Sequence, residues 1–278
     1  MTIRATHRLD KFKGTLVLVG AGKMGSAMLD GWIAGGLKPR QITVIEPHPG
    51  KTVKAEARRG LKLNPKGKIV AANAIIIAVK PQTASEALPV AAQYVGKSTL
   101  VLSIMAGRTI GFLEKSLPPA TAIVRAMPNT PAAIGRGISV ACANALVSAR
   151  QCKQASDLLA AIGKVEWVGD EALMDAVTAL SGSGPAYLFL LTEAMASAGI
   201  AAGLPPALAT RLARETVTGS AELMHRSQID AGTLRENVTS PGGTTAAALE
   251  VLLGPGGFDH ILTQAITAAT RRSRDLAG

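Results

Sequence analysis

The stretch Thr15-Leu16-Val17-Leu18-Val19-Gly20-Ala21-Gly22-Lys23-Met24-Gly25 decides the fold. Its first five residues are a short β-prone run, and the glycines after it stand at Gly-x-Gly-x-x-Gly spacing. Met24, Ala27, Met28 and Trp32 then recur at helical spacing until Gly35-Gly36 stops the helix. Such a glycine pattern is weak alone and gains meaning from its place between a strand and a helix. Gly20 permits a tight turn, Gly22 lets backbone approach a pyrophosphate, and Gly25 lets helix and strand pack closely. Lys23 and Met24 open a helix whose free N–H groups and positive dipole end suit an anion.

Working outward, Gln41 to Ile45 reads as a second strand closed by Glu46-Pro47. Ala74 to Val79, Leu100 to Ile104 and Ala122 to Arg125 are further apolar runs. Continuous apolar runs separated by helical segments describe a parallel sheet covered on both faces. The sequence therefore predicts an α/β chain. An N-terminal Rossmann-type doubly wound parallel sheet over residues 14–168 is followed by an all-α C-terminal dimerisation domain over 169–278. Residues 1–13 read as a disordered basic tail. Beyond Val168 the pattern is helical only, over 171–180, 186–202, 206–226 and 245–253. Phe258, Ile261, Leu262, Ala265, Ile266 and Ala269 form one more amphipathic ladder. Several of these helices are apolar nearly all round, with little chain left to cover them, so a second subunit is expected to do so.

Of 278 residues, 47% are hydrophobic, enough to bury a large core, and the formal charge is +11. Residues 1–80 hold 15 Lys and Arg against 4 Asp and Glu, while residues 81–278 hold 15 of each. The basic excess thus belongs to the first third; part of it reads as a field that draws in an anionic dinucleotide, and the remainder as a contribution to solubility. Aromatic residues make up only 3%, and none sits in a basic cluster, which argues against a single-stranded nucleic-acid platform. Cys142 and Cys152 fit neither a zinc-ligand nor a redox spacing, so no metal is expected, and a reducing cytoplasm is the expected location. No secretory leader is read in Met1 to Lys13. Pro185 to Leu204, the most apolar stretch, carries Glu193 near its middle and reads as a buried helix, with no membrane partner.

Glu46 stands where an acidic residue bonds the ribose 2′-hydroxyl of NAD, and its carboxylate should repel the 2′-phosphate of NADP. His48, Lys51 and Lys54 just beyond it could accept that phosphate, so the choice between NADPH and NADH stays open at this stage. Lys80-Pro81 ends a buried strand where ligands meet an open sheet; Lys80 reads as a phosphate contact or as a plain surface lysine. Ser103 to Gly107 ends the next strand in small residues, able to lie against a nicotinamide or simply to pack. Two Gly-rich segments feed helices of the second half. They are Ser181-Gly182-Ser183-Gly184-Pro185-Ala186-Tyr187 and Val238-Thr239-Ser240-Pro241-Gly242-Gly243-Thr244-Thr245. The second brings bare backbone, two threonine hydroxyls and a helix N-terminus together, a carboxylate or phosphate site built from N–H groups. Its plainer reading is an N-cap by Thr244 after a glycine turn.

No lysine occurs after Lys164, and His225 and His260 are the only histidines of the helical half. Reduction of a carbonyl calls for a positioned acid, usually Lys or His, whereas an imine nitrogen can carry its proton before hydride arrives. A nicotinamide domain joined to a lysine-free helical domain therefore favours C=N over C=O as the reducible bond.

Five segments together resemble the pyrroline-5-carboxylate reductase family, in its order: Gly20–Gly25, Ala78-Val79-Lys80-Pro81, Arg125-Ala126-Met127-Pro128-Asn129-Thr130-Pro131, Leu180–Tyr187 and Val238–Thr245. The resemblance implies reduction of L-1-pyrroline-5-carboxylate to L-proline with NADPH or NADH, the last step of proline biosynthesis. It also implies a dimer through interlocked helical domains, often assembled into a decamer. Carried over by position, cofactor contacts fall on Gly20, Gly22, Lys23, Met24, Gly25, Glu46, Pro47, Asn64, Ala78, Val79, Lys80, Pro81, Ala106, Gly107 and Asn237. Ser240, Gly243, Thr244 and Thr245 fall at the substrate carboxylate, with Thr245 the first choice for a hydrogen bond near the ring. Gln228 stands where some members place a glutamate against the imine ring, and Glu46 replaces a polar, uncharged turn. Rival readings are an NADP-dependent hydroxyacid dehydrogenase and a dinucleotide-sensing protein without chemistry.

Overall fold

The computed structural model describes residues 9–277. It divides into two compact units, the first formed by residues up to Gly182 together with Thr270 onward, the second by Ser183–Ala269. Residues 1–8 of the expected tail lie outside the described residues. Of the rest of that expected tail, Leu9–Lys11 form a 3₁₀ turn, Leu9 is buried, and its N–H donates to Gly35 O at 2.6 Å.

In the first unit the elements run β1 (Leu16–Val19), α1 (Lys23–Ala34), β2 (Ile42–Ile45), α2 (Lys51–Arg58), β3 (Lys62–Leu63), β4 (Ala74–Ile77), α3 (Ala84–Ala92), β5 (Leu100–Ser103), α4 (Ile110–Ser116), β6 (Ala122–Met127), β7 (Gly137–Ala143), α5 (Ala149–Ala160) and β8 (Gly163–Trp167). They build one eight-stranded sheet in the order β3-β2-β1-β4-β5-β6-β7-β8. The chain runs outward from β1 through β2 to β3 and then returns so that β4 pairs on the other side of β1, the kind of switch point at whose strand ends open α/β sheets bind ligands.

Alternation along the central strands sorts side chains to two faces. Leu16 and Leu18 join Met28, Leu29 and Trp32 of α1 and Leu158 and Leu159 of α5 in one core. Val17, Val19, Ile75 and Ile77 join Leu88 of α3 and Leu113 of α4 in the other. Fully buried Trp32 donates its Nε1–H to Leu158 O at 2.9 Å, satisfying the one polar atom that its burial would orphan. The expectation of a wholly parallel sheet needs one correction, because β7 runs antiparallel to β6. The segment 128–136 between them holds only a short 3₁₀ turn (Thr130–Ile134) closed by Gly135 at φ +68°. A parallel crossover needs a dozen or more residues, so so short a connection returns the chain antiparallel.

The helix expected over 171–180 is broken into a 3₁₀ turn (Glu171–Leu173), α6 (Met174–Val177) and a π-turn (Thr178–Gly182). The second unit contains α7 (Gly184–Ala201), α8 (Pro206–Arg226), α9 (Ala231–Asn237), α10 (Thr244–Leu253) and most of α11 (Phe258–Ala277). Leu188, Phe189 and Leu190 on successive positions of α7 are all more than half exposed, as are Val251 and Leu253 of α10. The described chain therefore leaves these apolar faces uncovered. Among the described residues no helix is long and apolar enough to cross a membrane.

Candidate functional site

The glycine-rich loop joins β1 to α1 at the C-terminal edge of the sheet. Gly20 adopts φ +89°, and a Cβ there would stand 2.7 Å from Val79 Cγ1 and 2.9 Å from the Ala78 carbonyl. Only glycine lets the end of β1 lie this close to the end of β4. A Cβ on Gly25 would meet Gly20 O at 2.3 Å, so the first turn of α1 sits directly on the loop. A Cβ on Gly22 would meet nothing within 4 Å, which leaves open space over the loop. Gly22 is the N-cap of α1 with no side-chain cap, and the Ser26 N–H is the first to reach an i−4 carbonyl, that of Gly22 at 2.9 Å. The N–H groups of Lys23, Met24 and Gly25 therefore have no partner along the helix. By contrast, the side chains of Thr109, Ser148 and Asp230 close α4, α5 and α9. A bare helix end under open space fits a dinucleotide pyrophosphate.

Glu46, after β2, is half-buried and folds back onto this loop. Its Oε2 accepts from Ala21 N–H at 2.7 Å and its Oε1 from His48 N–H at 2.9 Å. Asn64, held at φ +43°, fixes the same turn from beside it. Its Oδ1 accepts from Glu46 N–H at 2.9 Å and its Nδ2 donates to Glu46 O at 2.8 Å. Pro47, His48, Lys51 and Lys54 are exposed just past the carboxylate, and α2 begins at Gly50 without a side-chain cap.

Ala78 and Val79 are half-buried behind the glycine loop, and Ala78 N–H donates to Val19 O at 2.8 Å. Lys80 is exposed, with its carbonyl accepting from Thr83 N–H and Thr83 Oγ1–H, both at 3.0 Å. At the end of β5, Gly107 takes φ +68°, and a Cβ there would sit 3.2 Å from Leu276 Cβ. Sequence reasoning missed Arg108, which ties these two edges: its Nη2 donates to Pro81 O at 3.4 Å and its guanidinium lies 4.7 Å from the Phe112 ring centroid. It also missed Glu171, whose Oε1 accepts both from the buried Arg125 and from Ile110 N–H, each at 2.8 Å. That pair braces β6 against the start of α4. Asn129, quoted only as part of a motif, donates to Ser181 O at 3.3 Å and accepts from Ile138 N–H at 3.0 Å. Burial pushes the Cys142 thiol on β7 up to about 11, leaving it protonated and inert.

The second unit carries the other glycine-rich turn. Gly242 adopts φ +68°, and Gly243 N–H donates to Ser240 O at 3.0 Å. Gly243, not Thr244, is the N-cap of α10, and no side chain caps it. Ala247 N–H is the first to find an i−4 carbonyl, Gly243 O at 3.2 Å, so the N–H groups of Thr244, Thr245 and Ala246 are free of the helix. Thr245 is half-buried, while Ser240, Thr244 and Asn237 are exposed. Asn237 is the last residue of α9, and Gln228 is exposed in the link between α8 and α9. That link is organised by Asp230, whose carboxylate accepts from Thr233 N–H at 3.0 Å.

Two family models match the chain. One, described as pyrroline-5-carboxylate reductase dimerisation, covers residues 171–276. The other, described as NADP oxidoreductase, coenzyme F420-dependent, covers residues 15–107. The pyrroline-5-carboxylate reductase of Pseudomonas aeruginosa is 39% identical, over 94% of this chain and 96% of that protein. That of Synechocystis is 40% identical, over 94% and 97%. Among solved structures, a pyrroline-5-carboxylate reductase from Coxiella burnetii superposes with a TM-score of 0.86 at 33% identity, covering 95% of this chain and 99% of the other. The Plasmodium falciparum pyrroline carboxylate reductase with NADP bound gives 0.79 at 30%, covering 96% and 99%.

Proposed function

The chain belongs to the pyrroline-5-carboxylate reductase family, and from that membership we propose how its residues divide the work of reducing L-1-pyrroline-5-carboxylate to L-proline with NADH or NADPH. When bound, the dinucleotide would supply a hydride, which the C=N carbon of the cyclic imine (C2 of the pyrroline ring, C5 of the L-proline product) would accept. Gly20, Gly22 and Gly25, with the N–H groups of Lys23 and Met24, hold the pyrophosphate. Glu46, Pro47 and Asn64 shape the ribose side. Ala78–Pro81 and Ala106-Gly107 flank the nicotinamide, and Asn237 adds a polar contact.

The N–H groups of Thr244 and Thr245 hold the substrate carboxylate, with Ser240 and Gly243 shaping their turn. Thr245 Oγ1 orients the ring, and Gln228 takes the place of the glutamate some members present to it. Acceleration rests on orientation and on anchoring of charge, with no covalent intermediate. The imine nitrogen arrives protonated and keeps its proton, which is why a half-chain without lysine suffices.

The observation that carries this reading is the bare α10 N-terminus, where a glycine N-cap leaves N–H groups for a carboxylate. Residues 14–168 serve as the dinucleotide-binding part and 169–278 as the substrate and dimerisation part, in a cytoplasmic enzyme. The dimerisation match supports a homo-oligomer. The uncovered apolar faces of α7 and α10 support a dimer through the helical part, with a decamer as a further assembly.

Thr245→Ala should lower kcat/KM for the imine by about tenfold to a hundredfold, about 1.4–2.7 kcal/mol. NADH affinity should not change. Unaltered kinetics would remove Thr245 from the site, and turnover of 3-hydroxy acids in place of the imine would favour the hydroxyacid dehydrogenase reading.

A further inference from the structure

The basic excess of the first third does not all gather at the glycine loop. At the opposite, N-terminal edge of the sheet an open cleft of about 970 Å³ lies among the residues that precede β1, β4, β5 and β6 and the first turns of α5. That volume is in the range of small-ligand sites. Leu9, Phe12, Ala122 and Leu146 contribute apolar side chains to its lining. Its walls carry Lys11, Lys13, Lys97 and Arg150, all exposed. Among the described residues no ion pair engages any of these four. The cleft's one carboxylate, Asp157, is taken by Lys153 at 2.8 Å.

The chain that presents these cations is fixed. Gln41 Nε2 donates to Phe12 O at 3.0 Å and to Gly14 O at 3.1 Å, locking the segment that bears Lys11 and Lys13. Asn73 Oδ1 accepts from Thr15 N–H at 2.9 Å, joining that segment to the start of β4. Gln151 Nε2 donates to Ser98 O at 3.4 Å, tying the first turn of α5 to the Lys97 loop. Four like charges converging on one cleft repel one another, and an anion placed among them relieves that repulsion.

We propose that this cleft is a second anion site, separate from the dinucleotide site, that takes a small, multiply phosphorylated molecule. Phosphates lie against Lys11, Lys13, Lys97 and Arg150. A carbon skeleton, where the ligand has one, rests on Leu9, Phe12 and Leu146.

The test is calorimetric titration of the full-length protein, saturated with NADH, with inorganic tripolyphosphate and separately with ATP at low ionic strength. Both should bind the wild-type protein. The double substitution Lys97→Glu with Arg150→Glu should weaken both by about tenfold or more while leaving imine reduction unchanged. Raising the salt should weaken wild-type binding further. Tighter binding of ATP would add the apolar side chains of the lining to the site, and equal binding would leave phosphate recognition as its whole content. No binding by either probe, or undiminished binding by the variant, overturns the proposal. If a melting scan shows the reversed pair unfolded, Lys97→Gln with Arg150→Gln reads the same loss without the added carboxylates.

Discussion

Replacing Glu46 by glutamine asks how this protein selects between two dinucleotides. The carboxylate is held facing the glycine loop by Ala21 N–H at 2.7 Å and His48 N–H at 2.9 Å, while Asn64 grips the backbone on both sides. A carboxylate so pinned cannot swing away from a 2′-phosphate without giving up two hydrogen bonds. Two unit charges about 4 Å apart repel by roughly 1 kcal/mol in bulk water and by about 4 kcal/mol at the effective dielectric of a protein surface. Glu46 is half-buried, so the realised penalty lies toward the lower half of that range.

Glutamine removes the charge and keeps one oxygen for Ala21 N–H. His48 is exposed, and water replaces its lost acceptor at a cost of about 0.5–1.5 kcal/mol. His48, Lys51 and Lys54 remain to meet a phosphate. The ratio of kcat/KM for NADPH to that for NADH should therefore rise about tenfold to a hundredfold, equivalent to about 1.4–2.7 kcal/mol. Initial rates with both dinucleotides at fixed imine concentration, on wild type and Glu46→Gln, measure it. An unchanged ratio in a variant that melts within a few degrees of wild type would refute the electrostatic reasoning.

Gly25→Ala places a methyl group 2.3 Å from Gly20 O, against backbone that cannot step aside. It should cost about 1–3 kcal/mol of stability. It should also weaken NADH binding at least tenfold in a fluorescence titration, whereas unaltered binding would deny that α1 must sit on the loop. Cys142, its thiol pushed up to about 11, should resist iodoacetamide at pH 8 in the native protein and react only as the pH nears that value or the chain unfolds. Mass spectrometry that found it alkylated at pH 8 as fast as Cys152 would contradict its burial.

The central sheet was legible because β1, β4 and β5 are buried on both faces and leave continuous apolar runs. The edges were not. β3 has two residues, and β8 alternates half-buried with exposed positions, so neither leaves such a run. The antiparallel turn of β7 is set by the length of the link before it, a signal that periodicity ignores. The seven-residue α9 is too short to show a helical stripe, although Asp230 three residues before Thr233 marks its start.

At the site, the glycine spacing and the Gly243 turn were readable because local backbone chemistry demands those residues. The hold of Glu46 on the loop joins residues 25 apart, and Arg125 meets Glu171 across 46, so neither pairing exists until the sheet has formed. Arg108 carried no local signal, since its partner Pro81 lies across two strand ends. The charge on the first 80 residues was visible from the start, but only the fold separates the glycine loop from the cleft at the other edge of the sheet.

In the proposed mechanism hydride passes directly to the C=N bond with no lysine or histidine acid from the helical half. Reduction of L-1-pyrroline-5-carboxylate with NADH carrying deuterium at both C4 positions of the nicotinamide, followed by mass spectrometry of the product, tests that most directly. The predicted result is L-proline with one deuterium, located at C5, at a rate that His225→Ala and His260→Ala leave within about twofold. Absence of labelled proline, or collapse of the rate in either histidine variant, would contradict it.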